Sequence, residues 1–75
     1  MLRLTGLPHR SLCPQVEVWR TAKDIRLEFT GESARQLFVV PTELLGSSDP
    51  EQEELDLLAK LKRMGYRTGR RSRQP

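Results

Sequence analysis

Cysteine occurs once in the 75 residues, so no disulfide can form within the chain, and the cross-linked framework of many small secreted domains is excluded. The expected setting is the reducing cytoplasm. Histidine also occurs once. His9 and Cys13 stand four residues apart, a spacing that would bring two ligands together on a helical turn. A structural zinc takes four ligands and the chain holds no further Cys or His, so one copy cannot complete a zinc site. As a nucleophile and base the same pair lacks a third, orienting group, and the nearby Pro8 and Pro14 make a poor platform for catalysis.

Aromatic residues are scarce, with one Trp, one Tyr and two Phe, and hydrophobic residues make up only 36%, which leaves little material for a deep pocket. No glycine-rich phosphate loop is present, because Gly31, Gly46, Gly65 and Gly69 are isolated turn or cap glycines. Neighbouring carboxylates such as Glu53 and Glu54, or Glu28 and Glu32, have no apolar surroundings that would drive their pKa values apart for acid–base work. The expectation is a non-catalytic protein without cofactor or metal. Long apolar runs are missing too. Nothing approaches the roughly twenty residues of a membrane span, and residues 1 to 14 hold no run suited to a signal peptide, so a soluble chain with no membrane contact is expected.

What the chain does have is a lopsided distribution of charge. Residues 1 to 48 contribute +1, residues 49 to 59 contribute −5 and residues 60 to 75 contribute +7, all concealed in a net charge of +3. Part of this has a structural cause. Acids early and bases late in a helix complement its dipole, each contributing about 0.3 to 1 kcal/mol, which accounts for Glu51, Glu53, Lys62 and Arg63 without any ligand.

That helix is the clearest element in the sequence. Asp49 suits the N-cap, Pro50 the first helical position, Gln52 stands in capping-box register, and Gly65 is placed as a left-handed C-terminal stop, so the helix is predicted at about residues 50 to 64. Its apolar positions spread wider than one sheet face needs, so either Leu44, Leu45 and the N-terminal arm cover the excess or the leucine face of Leu57 and Leu61 meets a partner.

Before it, period-two alternation marks strands. Val16 and Val18 alternate with Glu17 and Trp19, and Ile25, Leu27 and Phe29 alternate with Arg26, Glu28 and Thr30. Thr21 to Asp24 and Thr30 to Ser33 read as turns, the second using positive φ at Gly31. The third run, ending in Leu37, Phe38, Val39 and Val40 before Pro41, is apolar on both sides, which predicts a central or doubly covered strand. Residues 41 to 48 connect to the helix, with Leu44 and Leu45 forming a short turn under the sheet.

The fold expected is therefore α+β: an irregular arm (residues 1 to 14), a small three-stranded antiparallel sheet packed against one amphipathic helix (the domain being residues 15 to 65), and a flexible basic tail (residues 66 to 75). Two binding modes follow. In the first, a nucleic-acid-associated or regulatory module, Arg67, Arg70, Arg71 and Arg73 contact phosphates, extended by Lys60, Lys62 and Arg63, with Tyr66 as a stacking platform. In the second, an accessory subunit or inhibitor of a larger complex, Trp19, Arg26, Phe38, Leu57 and Leu61 bind a protein and the tail steers the module to an acidic surface. Glu17 and Glu28 on the face of Trp19 and Arg26 argue against phosphate there. A homodimer is a further option, and Arg70-Arg71-Ser72 resembles a short basic kinase site that occurs often by chance.

Overall fold

The computed structural model describes residues 6 to 44 and 49 to 70. Four strands and one helix follow in the order β1 (Gln15–Arg20), β2 (Asp24–Thr30), β3 (Arg35–Pro41), α1 (Pro50–Arg63) and β4 (Arg67–Arg70), with a 3-10 turn at Thr42–Leu44. The first three strands form an antiparallel meander, and β4 joins the outer side of β1 in parallel, giving the sheet order β3-β2-β1-β4. A parallel neighbour needs a long crossover, which α1 supplies. The fold is α+β as expected, but the sheet has four strands and is mixed.

Alternation does what the sequence predicts on one side of the sheet. Val16, Val18, Ile25, Leu27 and Phe29 are buried and pack with Val40 and with Leu57 and Leu61 of α1. The rings of Phe38 and Tyr66 meet Phe29 edge-on, at centroid distances of 5.5 and 5.2 Å, within the range in which such pairs add to simple burial. Leu7, Phe38 and Leu58 pack around this core, and Cys13 lies inside it.

The helix boundaries follow from its caps. Asp49 Oδ1 accepts from the Gln52 N–H at 3.3 Å, whereas the Gln52 side chain turns forward to Asp56 instead of closing a reciprocal capping box. At the other end Gly65 adopts φ +103, the Gly65 N–H donates to Lys62 O, and the Tyr66 N–H donates to Leu61 O. Those two bonds define a Schellman motif, whose apolar clasp joins Tyr66 to Leu61. The reversal it produces sends Tyr66 into the core and aims the chain along β1, where the Arg67 N–H donates to Pro14 O at 2.7 Å.

Several expectations need correction. Residues 67 to 70 are a strand, so the chain beyond the helix does not become a tail at residue 66. Gly31 does not use positive φ. A Cβ there would sit 1.9 Å from the Leu12 carbonyl oxygen, so glycine is required by the close approach of the arm. Although apolar on both sides, β3 is an edge strand, with Leu37 51% and Val39 47% exposed. Leu44 is exposed and does not tuck under the sheet. Leu45 and the first five residues lie outside the described residues.

Candidate functional site

The sheet has a second face, directed away from α1, and its composition follows from register. Across β3, β2 and β1 the partners Val39, Arg26 and Trp19 form one row, Leu37, Glu28 and Glu17 the next, and Arg35, Thr30 and Gln15 a third. Strand spacing of about 4.8 Å places Val39 and Trp19 roughly 10 Å apart with Arg26 between them. Leu37 and Val39 neighbour each other along β3, so two aliphatic side chains, a half-buried indole and a guanidinium share one surface.

On β2 and β3 the charges of this face are committed to one another, whereas Arg67 of β4, level with Gln15 on the same face, forms no ion pair among the described residues. Arg26 Nε donates to Asp24 Oδ1 at 3.1 Å, and Arg35 pairs with Glu28. Glu28 is buried even though it belongs to the open face. The Thr21 hydroxyl is the main cause that holds the Asp24 carboxyl below its ordinary range, with Arg26 adding to it. With Arg26 and Arg35 paired to carboxylates, the middle of the face offers phosphate little uncompensated charge, and Arg67 at the β4 edge is left without an ion pair among the described residues. The face combines exposed apolar side chains with oriented polar groups, and Trp and Arg are both among the residue types enriched at interface hot spots.

The remaining residues proposed for protein binding are placed differently. Phe38 points to the helix side and is half-buried against Phe29, and Leu57 and Leu61 are both core residues. The expected leucine face is thus used up in holding α1 to the sheet. The large apolar side chains left exposed here are Leu55 on the helix and Met64 at its C-cap.

The residues proposed for nucleic acid also divide. Tyr66 is no stacking platform. Its ring is buried and its hydroxyl donates to the Pro8 carbonyl, an environment that raises its pKa chiefly by desolvation. Arg70 lies on the helix side of β4, beside Val18, and its guanidinium donates to Glu54 Oε1 at 3.1 Å. Arg20 donates to the same oxygen at 3.0 Å, so Glu54, only 2% exposed, joins helix, central strand and edge strand. Lys62, Arg63 and Arg67 are exposed, Lys60 is half-buried, and none of them forms an ion pair among the described residues. Arg71 and Arg73 lie outside the described residues.

Sequence reasoning missed Leu37 and Val39 because an apolar run reads as interior. The available signal was Pro41, which lacks an N–H and is tolerated mainly at sheet edges. The ring nitrogen Nδ1 of His9 bonds within its own turn to Ser11, and Cys13 is buried, so the two do not form a site together. Among the described residues no group of three or more His, Cys, Asp or Glu side chains is arranged to hold a metal ion, and no helix is long and apolar enough to cross a membrane. No protein-family model matches this chain, and neither the curated proteins nor the solved structures contain a match.

Proposed function

We propose that this protein is a non-catalytic binding module that engages another protein through the open face of its sheet, with Trp19, Leu37 and Val39 as contacts and Arg26 fixing orientation. The observation that carries this reading is the pair of exposed aliphatic residues on β3, Val39 in register with Trp19 across Arg26 and Leu37 in the next row. A small domain gains stability by burying such residues, so leaving them at the surface is a cost that partner binding would offset. The module serves as an accessory subunit or inhibitor in the cytoplasm, and its basic end steers it toward an acidic partner.

The test is affinity capture with the tagged full chain and with Trp19→Ala and Val39→Lys variants, after nuclease treatment. A stoichiometric protein retained by the wild type and lost from both variants is the expected result. Equal retention by all three overturns the reading.

A second reading draws on Lys62, Arg63 and Arg67, which are exposed at one end of the molecule and free of ion pairs among the described residues. Together with Arg71 and Arg73 they would bind nucleic acid without sequence preference, at about 10⁻⁴ to 10⁻⁶ M and with strong salt dependence. Binding that survives Trp19→Ala but disappears when residues 71 to 75 are removed and Arg67 is replaced by Ala would favour it.

A further inference from the structure

The outer edge of β3 carries a specific pattern of unpaired backbone groups. At the two ends of the β2–β3 ladder the Gly31 N–H donates to Ala34 O and the Thr42 N–H donates to Lys23 O. Bonded pairs in an antiparallel ladder recur at every second residue. Gln36, Phe38 and Val40 therefore turn their N–H and C=O groups toward β2, while Arg35, Leu37 and Val39 turn theirs outward. Pro41 falls at the next outward position, where its missing N–H costs the fold nothing. Among the described residues no strand pairs with this edge.

The geometry points to a homodimer in which β3 of one copy pairs antiparallel with β3 of the other, about a two-fold axis through Leu37. In that register Leu37 faces Leu37 of the partner subunit, and Arg35 faces Val39 of the partner subunit in both directions. Every outward N–H and C=O of Arg35, Leu37 and Val39 then finds its complement.

Neighbouring registers do worse. Shifting toward Pro41 sets Arg35 against a residue without an N–H, and shifting the other way moves Val39 off the strand and onto the turn before β3. A further shift places Arg35 opposite Arg35 of the partner subunit, and like charges directly opposite are destabilising. One strand is thus self-complementary in one register, which is what an isologous interface requires. Side chains agree. The aliphatic pair on the open face continues across the axis, and on the other face the half-buried Phe38 is brought diagonal to Phe38 of the partner subunit. A chain of 75 residues, which buries only roughly 60% of its unfolded surface, also gains proportionately from a second copy. The opposite edge is less suited, since β4 has only four residues and includes Gly69.

This dimer does not depend on the proposed protein partner, and it would enlarge the open face to a continuous surface spanning both copies. Sedimentation equilibrium of the full chain should show a monomer–dimer equilibrium, and Val39→Pro, which deletes an outward N–H without touching the β2 ladder, should weaken it by about tenfold or more. Leu37→Cys should form an intersubunit disulfide under mild oxidation, because bonded antiparallel partners have Cα atoms about 5.5 Å apart. Val39→Cys should not, because the two copies of that position lie roughly 13 Å apart in this register. The native Cys13 is buried and leaves the background quiet. A wild-type chain that stays monomeric at several hundred micromolar (about 300 µM and above, where a dimer with a Kd near 10⁻⁴ M would be visible), or equal cross-linking at the two positions, overturns the inference. Trp19→Ala should leave the dimer unchanged, which separates this result from the partner-binding test.

Discussion

The two faces of this sheet draw on similar residues and use them in opposite ways. On the helix side, Val16, Val18, Ile25, Leu27 and Phe29 are sealed by α1, Tyr66 and the arm. On the open side, Leu37 and Val39 stand at the surface beside half-buried Trp19, among carboxylates and guanidiniums already paired with one another. The first face accounts for folding. The second is not sealed by any other element among the described residues, and its exposed apolar residues are what the proposed partner would cover.

Substitutions should separate the faces sharply. The largest effect is expected for Phe29→Ala, which removes the ring at the centre of the aromatic cluster and should cost about 3 to 5 kcal/mol, enough to unfold so small a domain. Leu37→Ala, an equally apolar truncation on the other face, should change stability by no more than about 0.5 kcal/mol. Urea titration followed by circular dichroism measures both. Comparable losses at the two sites would erase the distinction between the faces.

Next in size is Glu54→Ala. Its carboxylate accepts from Arg20 and Arg70, and removing it should cost about 1 to 3 kcal/mol, moderated because both arginines are partly exposed and can rehydrate. The loss should be concentrated in β4. Amide hydrogen exchange should accelerate at residues 67 to 70 well before β1 and β2 respond. Uniform acceleration across the sheet would show that Glu54 supports the whole fold instead of docking this strand.

A smaller effect is expected at alkaline pH. Burial raises the Tyr66 pKa above its unfolded value, so the native state keeps a proton that the unfolded chain releases. Stability should therefore be unaffected near neutrality and decline as pH rises above about 10, the unfolded tyrosine value. Tyr66 is the only tyrosine, so its absorbance titration is unambiguous, and Tyr66→Phe should flatten this part of the stability profile. A native titration at or below the unfolded value would contradict the buried placement.

Much of the helix-side face was legible in sequence, because burial on one side imposes period-two alternation and the helix declares both of its ends. The placement of β3 was not, since an apolar run looks the same whether both sides are covered or one is left open. Nor was β4. Its four residues, Arg67-Thr68-Gly69-Arg70, have the composition of a disordered tail, and they become a strand through tertiary effects: the Gly65 reversal, the free edge of β1, and a buried carboxylate waiting for Arg70. Likewise, Tyr66 looked like part of a basic patch until its ring was seen to close the core.

The central claim is that the open face, and not the basic end, is the working surface. It is tested most directly by measuring what the full chain retains from cell lysate, with and without nuclease and with salt raised to about 0.5 M, alongside a variant carrying both Trp19→Ala and Val39→Lys. The prediction is a stoichiometric protein that withstands nuclease and salt and is absent from the variant. Retained nucleic acid that is lost by about 0.5 M salt, in equal amount for wild type and variant, would contradict the claim.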